Sequence, residues 1–247
     1  MAAKDLFSTQ SKGYAQYRPD YPPELFNWIL EHTSDTKQVW DCATGNGQAA
    51  VSLSKFFDQV QATDLSQNQL LHAQKRDNIH YQQSRAEKSP FEDKQFDLVT
   101  VAQALHWFDF EPFYAEVCRV LKPKGTFAAW GYGLLEVDEQ VDEHIRELYS
   151  LLTEYWAPER NYIENNYANI PFPFTTVASK RFYSRYTWEL STLEGYLNTW
   201  SAVQTYLQQH DENPVKKTIK KMRQSSWPQH IKKTVCFPIF LRLGILN

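Results

Sequence analysis

The stretch Val39-Trp40-Asp41-Cys42-Ala43-Thr44-Gly45-Asn46-Gly47-Gln48-Ala49-Ala50, with Gln59-Val60-Gln61-Ala62-Thr63-Asp64 after it, decides the fold. It reads as a strand, a glycine turn, a helix opening near Asn46, and a second strand closing on an acid. Gly45 and Gly47 allow a tight turn and a close approach of ligand to backbone, because no Cβ intervenes. The free N–H groups at the helix start face that ligand. Asp64, at the tip of the second strand, can accept hydrogen bonds from both hydroxyls of a ribose. The arrangement predicts an adenosine cofactor.

Two such cofactors compete. Gly45-x-Gly47-x-x-Ala50, with Asp64 about 20 residues on, fits the dinucleotide pattern. Asp41, at the end of the first strand, opposes it, because a pyrophosphate over this loop would meet a like charge. The ammonium and sulfonium charges of S-adenosylmethionine would be attracted there, and that ligand carries no phosphate. The residues favour S-adenosylmethionine, with S-adenosylhomocysteine as product.

The rest of the chain alternates. Pro22-Pro23 opens a helix to about residue 32. Strands are expected at about 37–42, 59–64, 79–82, 97–103 and 126–130, and helices at 46–56, 67–76 (capped by Ser66) and 111–121. Lys122-Pro123-Lys124-Gly125 is a strong helix stop. After Gly133 the rhythm changes. We expect a long helix at 137–155, a proline-bearing loop, a strand at 181–190, helices at 192–208 and 214–224, and a last strand at 233–243. The prediction is an α/β fold: a doubly wound, mostly parallel, seven-stranded Rossmann-like sheet with a helical cap inserted late. Residues 1–21 would cover the cofactor and 22–133 form its binding core. Residues 134–180 and 191–230 would form the cap and substrate region, and 181–190 and 231–247 the last strands.

Three further segments carry a resemblance: Ser84 to Val101, which leads into Ala102-Gln103-Ala104-Leu105-His106-Trp107-Phe108; Glu116 to Phe127; and Gly13-Tyr14-Ala15-Gln16-Tyr17-Arg18-Pro19-Asp20-Tyr21-Pro22. With the glycine loop they closely resemble class I S-adenosylmethionine-dependent methyltransferases. The likeness is to the type 11, small-molecule branch that includes the trans-aconitate methyltransferases. It is strong over about residues 10–133 and returns weakly near Leu197–Ser201 and Cys236–Pro238.

The resemblance implies roles. The family's acidic-x-Gly-x-Gly-x-Gly loop falls on Asp41, Ala43, Gly45 and Gly47, with Asn46 between the last two, around the methionine end of the cofactor. Ala43 stands where glycine is usual. Asp64 matches the ribose-binding acid and Leu65 the residue that covers the adenine. Ala86 and Glu87 match the adenine edge, where Arg85 replaces a position that is often acidic. Tyr14 and Arg18 match the segment folded over the pocket, with Arg18 the natural partner of the cofactor carboxylate. Gln103 to Trp107 match the strand end that faces methionine and substrate.

Composition narrows the partners. A net charge of −3 gives no electrostatic reason to expect nucleic-acid binding. Lys216, Lys217, Lys220, Lys221 and Arg223 share one helical face and read as a solvated surface. No segment is apolar enough for a signal peptide or membrane span. The 3 cysteines are scattered and read as buried thiols. A cytoplasmic monomer or homodimer acting on a small molecule is expected, with no metal. Aromatics are abundant after residue 106, in keeping with a flat or apolar substrate or with cap packing.

His106 is the one histidine near the expected centre; it could act as a base, bind a substrate oxygen, or simply pack. Trp107, Trp130, Tyr132, Tyr162 and Trp200 are candidate pocket walls, or cap core. No Asn-Pro-Pro-Tyr-like run follows the fourth strand, which argues against the amino-methylating DNA, RNA and glutamine branch. The expected activity is O-methylation of a carboxylate metabolite. The alternatives are C-methylation of a quinone-like ring and a non-catalytic cofactor-binding partner or sensor.

Overall fold

The strand that carries Asp41 lies inside the sheet, with a parallel neighbour on each side. In the computed structural model, which describes residues 17–177 and 179–247, β1 (Gln38–Cys42) pairs in parallel with β2 (Gln59–Asp64) on one side and β4 (Phe96–Ala102) on the other. β3 (Ile79–Gln83) extends the sheet beyond β2, and β5 (Leu121–Tyr132) beyond β4. Two elements, β6 (Thr175–Thr176) and β7 (Lys180–Trp188), pair antiparallel with the same edge of β8 (Lys233–Ile245). The register shifts by one residue between them, so together they act as one interrupted strand. The opposite edge of β8 runs antiparallel to β5. The sheet is thus seven positions wide, in the order β3-β2-β1-β4-β5-β8-β6/β7. It is the mostly parallel Rossmann-like sheet that the sequence predicts.

Burial explains the strand composition. All of β4 except Ala102 is buried, because helices cover both faces of a parallel sheet. One face packs against α1 (Pro23–Leu30) and α2 (Gln48–Leu53) through Leu25, Ile29 and Leu53. α3 (Gln67–Leu71) follows β2; Ser66 caps it by accepting from the Gln69 amide at 3.4 Å. The other face packs against α4 (Phe110–Val120) through Phe113 and Val117.

Five helices make the cap: α5 (Glu139–Leu151), α6 (Arg160–Glu164), α7 (Leu190–Asn198), α8 (Ser201–Leu207) and α9 (Pro214–Ser225). Four of the sequence expectations, one of them outside the cap, are changed for local reasons. α3 ends at Leu71; of the five residues beyond it that were expected to be helical, Ala73 is buried and the other four are exposed. α5 starts at Glu139 because Asp138 caps it, accepting from the Val141 amide at 3.1 Å. The loop expected after residue 155 contains the short helix α6. The single helix expected at 192–208 breaks into α7 and α8. There Thr199 Oγ1 donates to the Tyr196 carbonyl (2.6 Å), and Trp200 turns extended at ψ 130°. Among the described residues no helix is long and apolar enough to cross a membrane.

Candidate functional site

The turn between β1 and α2 is tied to the tip of β2. The Gly45 amide donates to Asp64 Oδ2 and the Ser66 amide to Asp64 Oδ1, both at 2.8 Å. The Gly47 amide donates to the Thr44 carbonyl at 3.0 Å. Gly45 has φ +58°, and a Cβ built on it would meet no atom within 4 Å. Open space therefore lies over this part of the turn. Gly47 has φ +85°, and a Cβ there would collide with the Tyr81 hydroxyl from β3. The loop needs glycine at Gly47 for packing as well as for backbone, whereas at Gly45 it leaves room for a ligand. An exposed Leu65, a loop of left-handed residues and an acid at each of two strand ends fit an adenosine bearing a cationic sulfur.

Ala43, where the resemblance expects glycine, has φ +54°. An alanine in this region costs about 1–2 kcal/mol relative to the right-handed one. The substitution strains the backbone at that point.

Asp41 is fully buried. Thr44 Oγ1 donates to its Oδ2 at 2.5 Å and Thr100 Oγ1 to its Oδ1 at 2.8 Å. Burial still dominates and pushes its pKa up to about 6. Asp41 is thus a site where a neighbouring cation would restore full ionisation.

The structure places the other expected cofactor residues around the same turn with differing freedom. Asn46 is half-buried beside Gly45, and Ala86 is buried. Glu87 faces Arg85 at 3.4 Å and accepts from the Asp109 amide at 3.4 Å. Gln103, at φ +57°, spends its side chain on the backbone of Tyr132: Nε2 donates to the carbonyl at 3.0 Å and Oε1 accepts from the amide at 2.8 Å. It thereby extends the β4–β5 pairing past the strand end. Tyr14 lies outside the described residues.

Beyond Gln103 a small cavity of about 60 Å³ sits under the cap. Its walls include Trp107, Tyr132 and Trp200, all three expected, together with Trp156 and Tyr196. Two expected wall residues are corrected. Trp130 is fully buried beneath the cavity, edge-on to Tyr21 and Phe26, because its β5 position faces the α1 side of the core. Tyr162 turns toward Phe110 at 5.3 Å.

Arg160, two residues before Tyr162, is a charged cavity residue that sequence reasoning missed, as it missed Trp156 and Tyr196. Its guanidinium stacks over Trp156 (5.0 Å) and Tyr149 (5.7 Å), and Nε donates to the Tyr149 hydroxyl at 3.2 Å. Arg18 lines the same cavity, with Nη1 donating to the Tyr132 hydroxyl at 3.0 Å. Among the described residues no aspartate or glutamate lines it. The aromatic run around residues 149–162 was the only signal in the sequence, and nothing in it marks an arginine as inward-facing.

His106 is buried on the cavity wall, with Nδ1 3.0 Å from the Tyr167 hydroxyl. Burial, with a smaller contribution from Arg160, lowers its pKa to about 3. Burial pushes the Tyr167 phenol up, so both rings are neutral near pH 7.

Comparison with known proteins agrees with this geometry. A methyltransferase-domain family model matches residues 40–129, the span from β1 to β5. A methyltransferase-family protein of Dictyostelium discoideum is 32% identical, over 97% of this chain and 94% of its own length. The methyltransferase cfoB of Aspergillus candidus is 28% identical, over 76% of this chain and 67% of its own. A solved structure from Anaeromyxobacter dehalogenans, described as a type II methyltransferase, superposes with a TM-score of 0.87. It is 34% identical and covers 93% of this chain and 98% of its own.

Proposed function

Since this chain belongs to the class I S-adenosylmethionine-dependent methyltransferases, we propose that its acceptor is a small carboxylic acid, methylated on oxygen. The observation that carries this reading is Arg160, on a cavity that no aspartate or glutamate lines among the described residues. The likeness to trans-aconitate methyltransferases seen in the sequence points the same way.

Asp41, Ala43, Gly45, Asn46, Gly47, Asp64, Leu65, Ala86, Glu87 and Gln103 are the residues placed to hold the cofactor, and Arg18 its carboxylate. Bound there, S-adenosylmethionine supplies an electrophilic methyl on a good leaving group. The chain's own work is alignment and exclusion of water. Arg160 holds the acceptor carboxylate through a charged fork. The buried indole N–H of Trp156 has no acceptor among the described residues and is a second donor for an acceptor oxygen. Nδ1 of His106 and the phenol of Tyr167 share one hydrogen bond at 3.0 Å. His106 is thus held as a neutral imidazole on the cavity wall. A carboxylate oxygen is already a nucleophile and needs no base. The product ester is neutral, so Arg160 loses its attraction for it and release follows.

C-methylation of a quinone-like ring is supported by the aromatic walls, but a protonated phenol would need a base, and His106 is a poor one. The test is a panel of mono-, di- and tricarboxylic acids against phenols and quinols, scoring S-adenosylhomocysteine release and base-labile methyl ester. Arg160→Gln should raise KM for the acid at least tenfold and leave cofactor affinity unaltered. Turnover confined to phenols or quinols would overturn the carboxylate reading.

A further inference from the structure

We propose that the acceptor is an amphipathic acid with an apolar tail, and that the tail occupies a second cavity on the far side of Arg160; this rests on the carboxylate reading above. The cavity beside Gln103 and His106 measures about 60 Å³, well below the usual range for ligand sites of about 300–1,000 Å³. It takes a carboxyl group and little more. The second cavity measures about 440 Å³, within the usual range for ligand sites of about 300–1,000 Å³. Gly133, Leu134 and Arg160 line both. The two cavities meet at these three residues, so the tail of an acid held by Arg160 would enter the second beside Gly133 and Leu134.

The wall between them is thin at Gly131. A Cβ there would come within 2.7 Å of Gln103 Oε1, which lines the first cavity, and within 2.7 Å of Phe240 and 3.3 Å of Ile163, which line the second. The second cavity's floor is apolar: Ile163, Ile239 and Phe240 are all buried. Its exposed rim carries both signs of charge, with Arg181 against Glu136 and Glu164. A rim of mixed sign gives no net attraction for a second charged group, whereas the floor rewards buried methylenes.

The experiment uses the full chain and straight-chain acids from acetate to dodecanoate, measured both for turnover and for binding in the presence of S-adenosylhomocysteine. The expected result is a gain in kcat/KM and in affinity of about fourfold per methylene until the second cavity is full. In Glu136→Trp, where the backbone pairing of Glu136 with Cys236 does not involve the side chain, the gain should stop several carbons earlier. Arg181→Trp on β7 should do the same, and S-adenosylhomocysteine titration reports that each variant is folded. Methylation with no dependence on chain length, or the same dependence in both tryptophan variants as in the parent, overturns the tail site and leaves the carboxylate reading standing. Length-dependent binding without methyl ester overturns the carboxylate reading and leaves the tail site. Neither binding nor turnover at any length overturns both.

Discussion

Thr100 Oγ1 donates to Asp41 Oδ1 across 2.8 Å at the centre of the sheet, and even with Thr44 on the other oxygen the carboxyl stays above its ordinary range, at about 6. In the unfolded chain the same group titrates near 3.8. Between those values the folded protein holds a proton that the unfolded chain has released. The stability of the ligand-free protein therefore falls as pH rises from about 4 to 6, by up to roughly 3 kcal/mol. A bound sulfonium reverses the preference. S-adenosylmethionine affinity should tighten from pH 5 to 7 and then level off, with proton release on binding near pH 6. Calorimetry in two buffers of different ionisation enthalpy measures that release. Asp41→Asn should abolish the pH dependence and raise ligand-free stability at pH 7; an unchanged profile would remove Asp41 as its source.

The left-handed residues of the glycine turn make opposite predictions. Ala43→Gly relieves strain at φ +54° and should stabilise the protein by about 0.5–1 kcal/mol after the entropy cost of glycine. Gly47→Ala should destabilise it by more than that and weaken cofactor binding, because both the backbone and the Tyr81 hydroxyl oppose a Cβ. Placing Gly47→Ala in a Tyr81→Phe background removes the nearest colliding atom but not the strain at φ +85°, so rescue should be partial. Denaturant midpoints decide these cases.

Asp64 binds the turn through the Gly45 amide and is proposed to hold the ribose. Asp64→Ala should weaken S-adenosylmethionine binding by about 1–3 kcal/mol. Asp64→Asn keeps one acceptor oxygen and should lose less. Titration of the three proteins with the cofactor is the measurement, and equal affinities would detach Asp64 from the ribose.

The core was legible because strand, turn and acid recur at fixed offsets: β2 falls on residues 59–64 as expected, and Asp64 ends it. Local chemistry such as the Ser66 cap was legible for the same reason. The cap was less so. The break at Thr199 depends on a side-chain bond to a carbonyl three residues back, and a helical period runs through it undisturbed. Trp130 and Trp200 are the same residue type in similarly aromatic surroundings, yet one is core beneath the site and the other lines it. Which face of β5 meets the cavity follows from how the sheet packs on α1, and that is a tertiary property. Arg160 was invisible for a related reason: only its neighbours in space, Trp156 and Tyr149, distinguish it from a surface arginine.

His106 supplies the last prediction. A histidine acting as general base would impose a rate limb near its usual pKa of about 6.5, rising as it loses its proton. Burial instead holds His106 near 3, so it stays neutral across the working range and its ring nitrogen is a weak proton acceptor. The kcat/KM profile should therefore show no histidine limb between pH 5.5 and 8. His106→Gln retains a neutral donor and should keep most of the turnover, whereas His106→Ala should lower kcat about tenfold with cofactor affinity unchanged. Tyr167→Phe removes the hydrogen-bond partner of Nδ1 but keeps the imidazole, so it should lower kcat less than His106→Ala does, without adding a limb. A limb near pH 6.5 that disappears in His106→Gln would show that the histidine moves a proton after all, and would shift the acceptor toward a phenol or another protonated nucleophile.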